Sequence, residues 1–433
     1  MEFEFSTRHE EIRSIARRVR EEAVAPRAAE IDRTGEYPHD IFQALVESGL
    51  VGLIFAREHG GSGDGSLGTA LAIEEIARSC CSSGLLLLMA RLSTVHIAIA
   101  GTEAQKQRYL HGVATGAIKG AFGITEPEVG SDSGAITTTA TRDGDTYIIT
   151  GHKKWAGQAT VADYVIVSAR IGDATSRDIG IFIVPTDAAG FRIIRTMPKM
   201  GVNAVPVCEI ALDECRVPVD NRVGPERGGF RVLLRGLSMV RPLVAARAVG
   251  LAAGALEYAT AYARERKTMG APILTHQAIG FRLAERAMEL EASRLLTYRA
   301  CWLVDQGRTS AADAAHYSMA KAFATESAVR AADAALQTLG GNGYLQEYAT
   351  ERYYRDARAS SCSLRARARF SDSSFTAQSR WAITSGKLQV AVVRAILSQH
   401  NAATVALPAS ALFLEAGEAP EISDAANLPR WAE

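Results

Sequence analysis

The spacing of apolar residues changes period twice along this chain, and those two changes constrain its fold more than any single motif. From Thr7 to about Gly116 apolar residues recur three and four apart, as in HEEIRSIARRVREEAVAPRAAEI, DIFQALVESGLVGL and LGTALAIEEIARSC. That spacing gives a helix one apolar face. Pro26, Pro38 and the turn GGSGDGSLG at Gly60–Gly68 separate these helices. The glycine turn has no GxGxxG after a strand, so it reads as a connection with mobile backbone rather than a phosphate cradle. Between Ala121 and about Val223 the period falls to two, in short β-branched segments such as DTYIITGHKKWAG, ADYVIVSARIG and IGIFIVPTD. Asp143-Gly144 and Gly180 or Gly190 mark turns there. From Gly228 the helical period returns in three long stretches, which predicts an up-down bundle closed by a fourth helix after Leu364.

The expected architecture is therefore α+β: an N-terminal α-helical domain (1–120), a middle antiparallel β-domain (121–227) and a C-terminal helical bundle (228–381), followed by an atypical tail (382–433). The 433 residues suffice for this many units. Lys plus Arg and Asp plus Glu are equal at 48 each, so the chain lacks the positive field of a nucleic-acid binder. Residues 1–30 are charged throughout and carry no apolar core of a secretory signal. No apolar run reaches the roughly 18 residues of a membrane span, GLLLLMA at Gly84–Ala90 being the longest noted. A cytoplasmic protein is expected. The six cysteines show no metal-binding spacing and read as reduced, mostly buried thiols, and no metal is expected.

Five motifs follow one another in order: AFGITEPEVGSDS (Ala121–Ser133), KKWAGQA (Lys153–Ala159), RERKTMG (Arg264–Gly270), HQAIGF (His276–Phe281) and LGGNGY (Leu339–Tyr344). In this order the chain resembles the acyl-CoA dehydrogenase family over roughly residues 1–358. The resemblance implies FAD as cofactor, hydride transfer to flavin N5 during α,β-desaturation of an acyl thioester, and an electron-transfer flavoprotein or similar acceptor. It implies a homotetramer with FAD shared across subunits. Donors around the flavin ring suit the charge that arrives with hydride, and a flat apolar wall excludes water. By resemblance the ring contacts fall on Phe122, Ile124, Thr125 and Trp155, with Gly157 where the family often has Thr. A plain core aromatic is the alternative for Trp155. Ser131 maps to the CoA side of the site. Arg266 and Thr268 map to the FAD diphosphate of a neighbouring subunit, which a guanidinium fork and a hydroxyl suit. Met269 and Gln277 map to the adenosine side, and Gln337, Gly340 and Gly341 to a close backbone approach. A solvated helix face is the alternative for Arg264, Arg266 and Lys267. Ser238 and Arg241 map to the substrate side, where the thioester is carried by CoA or an acyl carrier.

The catalytic base departs from the family pattern. The Glu expected shortly after Arg355-Asp356 is replaced by Leu364, and the alternative position just before Arg241 is Val240. Abstraction of a thioester α-proton at neutral pH needs such a group, worth about 10²–10⁴ in rate. The run after Asp356, with Arg358, Arg365, Arg367 and Arg369 among Ser and Ala, has no apolar period. Back-translation of Leu364–Arg380 and a skip of two nucleotides yields EGASEIQRLLIHRAIA, which resembles the family's base loop and last helix. The C-terminus thus reads as a frame change. It would cost the bundle roughly 1.5–3 kcal/mol for each large apolar side chain lost. Two other readings stay open: a catalytically impaired FAD- or CoA-binding subunit, and a flavin monooxygenase-type relative on the same fold, which needs no Glu base.

Overall fold

A computed structural model describes residues 4–173 and 175–362, all within one compact unit. The N-terminal part is helical: α1 (Thr7–Val19), α2 (Ala28–Thr34), α3 (His39–Glu47), α4 (Gly65–Ala77), α5 (Cys81–Leu92), α6 (Val95–Ala100), α7 (Glu103–Gln105) and α8 (His111–Ala114). Ser6 caps α1 through His9 N–H, and Thr102 and Gln105 form a reciprocal capping box on α7.

The glycine-rich segment departs from expectation. Its backbone is tied down by Gly61 N–H to Ala56 O, Ser62 N–H to Gly52 O and Gly63 N–H to Phe55 O. It then enters α4 at Gly65. The Asp305 carboxylate accepts the Ser66 and Leu67 N–H groups at 2.6 and 2.9 Å, capping α4 from a position 239 and 238 residues further along the chain. A Cβ at Gly65 would lie 2.7 Å from that carboxylate, so only glycine fits.

Eight strands follow: β1 (Gly120–Gly123), β2 (Thr139–Asp143), β3 (Thr146–Gly157), β4 (Tyr164–Ile171), β5 (Ile179–Pro185), β6 (Phe191–Thr196), β7 (Val207–Pro218) and β8 (Arg222–Val223). They form one sheet in the order β6-β7-β3-β1-β4-β5-β8, with β2 pairing β3 and β4. The expectation of an antiparallel sheet needs correction, because β4 runs parallel to both β1 and β2. The sheet is mixed because β1 enters from the helical part and meets β4 only after the β2–β3 hairpin. That hairpin turns at Gly144 with φ 60°, and Gly190 turns with φ 88° before β6. Gly180, by contrast, is no turn. It pairs with Ala169 inside β5, where a Cβ would crowd Ile171 and Phe182.

The chain then runs through α9 (Gly229–Glu265), a short hairpin of β9 (Lys267–Thr268) and β10 (Ala271–Pro272), α10 (Gln277–Asp305), α11 (Ala311–Leu339) and α12 (Ala349–Cys362). The bundle is expected to close with a helix after Leu364, a position outside the described residues. Among those described, α12 packs on α9 and α11 and continues past Asp356, burying Thr350, Tyr353, Asp356, Ala357 and Ser360. The composition after Asp356 hid this helix, since its inward positions are small or polar.

The core explains why α9 matters. Leu233, Val240, Leu243, Val244 and Ala246 join the apolar core of the N-terminal helices, while Ala248, Val249, Leu251 and Ala252 join that of the bundle. One helix therefore ties both helical parts together. The buried Glu74 reinforces this tie, accepting from Arg294 at 2.9 Å and Tyr298 at 2.5 Å on α10. Two stretches, Cys81–Ala100 and Gly229–Glu265, are long and apolar enough to cross a membrane, contrary to the reading of the sequence. Their most apolar 18-residue windows are 72% and 94% buried inside the fold, as core helices are. Of the six thiols, five are buried and Cys362 is exposed.

Candidate active site

The first group of sequence-predicted residues lies on β1, β3 and the loop after β1. Phe122 pairs with Gly157 across β1 and β3, and its ring stacks on His96 at 5.4 Å with an interplanar angle of 4°. His96 is wholly buried, and a Cβ at Gly236 on α9 would come within 2.4 Å of its ring. Burial lowers the His96 pKa to about 4, so the ring is neutral at pH 7. Ile124 is buried, Thr125 is half-buried, and among the described residues the Thr125 hydroxyl has no partner. Ser131 is exposed further along the same loop, and Gly134 brings that loop against Phe230 at the start of α9.

Trp155 sits where β3 and β7 slip register, between the pairs Lys153↔Ile210 and Ala156↔Cys208. Its φ is 66° and its side chain 57% exposed. A bulky residue in that backbone region costs roughly 1–3 kcal/mol and persists where the surroundings over-determine it. The plain core-aromatic alternative does not hold: the bulge turns the indole out of the sheet core.

Behind Trp155, Lys153 and Glu126 form a buried ion pair at 2.7 Å, with exposures of 0% and 3%. Burial alone would raise the Glu126 carboxyl, but the Lys153 charge and donors from Thr137 and Thr138 hold it near 2. Burial lowers Lys153 to about 8, with Glu126 opposing the shift. The motif readings missed this pair. A signal was present, because Lys153 is in phase with the inward Tyr147 and Ile149 of β3, and a lysine in that phase demands a partner.

The residues expected on the substrate side lie on α9. Ser238 lines a cavity of about 320 Å³ with Arg231, Leu234, Arg235, Met239, Thr309, Ser310, Ala314 and Tyr317. Arg231 and Arg235 are one helical turn apart, exposed, and without a carboxylate partner among the described residues. They were not singled out in the sequence, although their spacing from Ser238 on one helix face was readable. Arg241 is buried deeper, its guanidinium donating to Ser318 of α11 at 3.0 Å and lying 3.5 Å from Ser238 Oγ. Pro242 has no N–H for the Ser238 carbonyl, which loosens the helix beside the cavity. Val240 is fully buried among apolar side chains.

Two cations contact the last turn of α12, with Arg241 acting on one of them, Lys321, through its charge. Arg247 donates to Ser360 Oγ at 3.0 Å and Lys321 to Ser361 O at 3.2 Å. Burial, with Arg241 adding to it, lowers Lys321 to about 8. This positive cluster lies at the end of the described residues, close before Leu364, which itself falls outside them. The sequence reading missed Arg247 and Lys321. On α11, Lys321 shares the inward face of Tyr317, Ala324 and Ala328.

The second cofactor group is far more exposed. Arg266 caps the end of α9 just before the β9–β10 hairpin, and Met269 lies in the hairpin's turn with φ 51° and 97% exposure. Thr268 contacts His276 at 3.2 Å, and Gln277 opens α10. Gln337 lies in the last turn of α11, close to Gly340, whose φ is 59°, and to Gly341; a Cβ added at either glycine would meet no atom within 4 Å. Asn342 ties this turn to α9 through Tyr262 at 2.9 Å. No hydrogen bond or ring contact joins this group to the Thr125–Trp155 group among the described residues.

Sequence models of the acyl-CoA dehydrogenase N-terminal, middle and C-terminal domains match residues 6–117, 121–215 and 227–363. The chain belongs to the acyl-CoA dehydrogenase family. It is 41% identical to the probable acyl-CoA dehydrogenase YngJ of Bacillus subtilis over 361 residues, 83% of this chain and 94% of that protein. Its fold is similar to that of butyryl-CoA dehydrogenase from Megasphaera elsdenii, with a TM-score of 0.81 at 32% identity over 84% of this chain and 96% of that one. It is similar also to an acyl-CoA dehydrogenase from Bacillus anthracis complexed with FAD, with a TM-score of 0.78 at 28% identity over 83% and 66% of the two chains. The protein is an FAD-dependent acyl-CoA dehydrogenase-like oxidoreductase. The residues present fit the flavin: a partnerless hydroxyl at Thr125 and an outward indole at Trp155 leave a donor and a flat wall with no competing partner among the described residues.

Proposed function

We propose that this chain binds FAD and an acyl thioester but turns over poorly, because neither Leu364 nor Val240 can accept the α-proton. The observation that carries the reading is the α9 cavity, with Arg231, Arg235 and Ser238 at its edge and the Ser131 loop packed beside its helix. Two guanidinium groups a turn apart suit the phosphates of CoA, and Ser131 adds a hydroxyl on the same side. Bound FAD would supply the hydride acceptor. Phe122, Ile124, Thr125, Trp155 and Gly157 would hold its ring, Trp155 excluding water from one face. The α-proton would need a carboxylate near the Arg241–Arg247–Lys321 cluster, whose charge would also favour an enolate-like oxygen.

The exposed second group supports a cofactor completed by a neighbouring copy: Arg266 and Thr268 toward its diphosphate, Met269 and Gln277 toward its adenosine, and Gln337, Gly340 and Gly341 as the close backbone. On α10, Phe281, Met288, Leu295 and Trp302 are exposed at seven-residue intervals. Such a stripe on one helix is an expected contact between copies. A homotetramer, an electron-transfer flavoprotein as acceptor and a cytoplasmic location complete the reading, as do the unit limits 1–120, 121–227 and 228–381.

The test is anaerobic. The purified chain, loaded with FAD, is titrated with a panel of acyl-CoAs while the flavin absorbance is followed. Perturbed flavin bands with slow bleaching are expected. Fast bleaching would sink the claim of impairment, and no FAD uptake at all would sink the flavin reading.

A further inference from the structure

The Glu126–Lys153 pair has a geometry that packing alone does not require. Glu126 Oε1 accepts from Lys153 Nζ at 2.7 Å, Thr138 N–H at 3.0 Å and Thr138 Oγ1 at 2.6 Å. Its Oε2 accepts from Thr137 N–H at 2.6 Å and Thr137 Oγ1 at 2.8 Å. The carboxylate is thus saturated by five donors from two segments. Lys153 Nζ reaches on to the Ile124 carbonyl at 3.2 Å, and the next residue, Lys154, gives its N–H to the Thr125 carbonyl at 2.7 Å. The contacts made by Lys153 and Lys154 join the loop after β1 to the strand that carries Trp155, at the register slip itself. Gly151 belongs to the same device, since a Cβ there would lie 2.3 Å from Thr138 Oγ1 and push Thr138 off the carboxylate.

A buried ion pair adds little net stability once desolvation is counted, and its best-attested use is to fix one geometry among several. The strained φ of Trp155 needs such a constraint. We propose that Glu126 and Lys153 are positioning residues that lock the Ile124-Thr125 backbone to the β3 bulge, so that this loop and the Trp155 indole form one preformed wall for the flavin ring. The proposal rests on the reading of Ile124, Thr125 and Trp155 as flavin contacts.

The pair is tested with Lys153→Met and Glu126→Gln in the full chain. Amide hydrogen exchange is measured on FAD-free protein, and FAD affinity by fluorescence titration. In Lys153→Met, exchange should rise at least about tenfold in residues 124–138 and 153–157, where the Thr137, Thr138 and Lys154 amides are held, and stay unchanged in β4 and β5. The FAD dissociation constant should rise at least about tenfold with it, as lost preorganisation predicts. Glu126→Gln keeps an acceptor but no charge and should fall between the two; it carries the test if Lys153→Met does not fold. Unchanged local exchange would overturn the latch and leave the flavin reading standing. A rise spread evenly over the sheet would reduce the pair to a structural role and also overturn it. Local loosening with unaltered FAD affinity and flavin spectrum would overturn the proposal together with the flavin reading of this loop, as would a wild-type chain that takes up no FAD.

Discussion

The Glu126–Lys153 region of the sheet and the α12 end of the bundle carry buried charge in opposite ways. At the sheet, one cation meets one carboxylate and five donors saturate that carboxylate, so the charge is neutralised inside the fold. At the bundle, Arg247 and Lys321 donate to a hydroxyl and a carbonyl of the last described turn of α12, and Arg241 on α9 adds its charge to that of Lys321. Desolvated cations of one sign repel one another. The first arrangement is complete without help. The second gathers cations of one sign beside the last described turn of the bundle. Loss of cofactor binding and loss of chemistry are therefore testable separately in this molecule.

The strongest way to break this contrast is to restore the alternate frame, so that EGASEIQRLLIHRAIA runs from position 364. Anaerobic flavin reduction by an acyl-CoA should then accelerate by about 10²–10⁴, the usual worth of a general base, while FAD affinity stays unchanged. Leu364→Glu alone should recover part of the gain. If the restored chain reduces flavin no faster than this one, the cation cluster has no role in proton abstraction and the comparison loses its functional meaning.

Exposure of the second cofactor group sharpens the contrast from another side. If Phe281, Met288, Leu295 and Trp302 meet a second copy, each buried side chain contributes roughly 1.5–3 kcal/mol to the contact. Met288→Glu with Leu295→Glu should shift light-scattering mass from an oligomer towards the monomer at micromolar concentration. FAD should bind more weakly in step, because Arg266 and Thr268 would no longer reach it. An unchanged mass would mean that the stripe faces no copy of this chain.

Much of this was readable in the sequence, and the failures share a cause. The period changes located the helices and strands because each side-chain spacing has one backbone that buries it. The β1–β4 parallel pairing was not readable, since pairing between strands separated by a hairpin leaves no local trace. Gly180 was misread because a glycine can serve a turn or a tight sheet contact, and only the neighbouring Ile171 and Phe182 decide. Motif resemblance led to Trp155 and Thr125 but passed over Lys153, Glu126, Arg247 and Lys321, whose hydrogen-bond partners lie 11 to 113 residues away. The phase of Lys153 within β3 and of Lys321 within α11 was the available signal.

The smallest effect expected is a pH dependence in which two buried groups oppose each other. His96 has its pKa lowered by burial to about 4, below its unfolded value of 6.5. Between these values the unfolded chain binds more protons, so His96 removes stability as pH falls, by about 3 kcal/mol in full. Asp356, at the α12 end, has its pKa raised by burial to about 6 from 3.8, while the Val202 N–H it accepts works against the shift. There the folded chain binds more protons, so Asp356 restores stability as pH falls from 6 to 4, by a similar amount. The two nearly cancel between pH 6 and 4. His96→Gln should therefore make urea stability rise on acidification through that range, and Asp356→Asn, which keeps an acceptor for Val202, should make it fall more steeply than in the parent chain. Identical urea midpoints for the parent and Asp356→Asn from pH 7 to 4 would show that the α12 carboxyl carries no strain of burial, and the charge contrast between sheet and bundle would then rest on its cations alone.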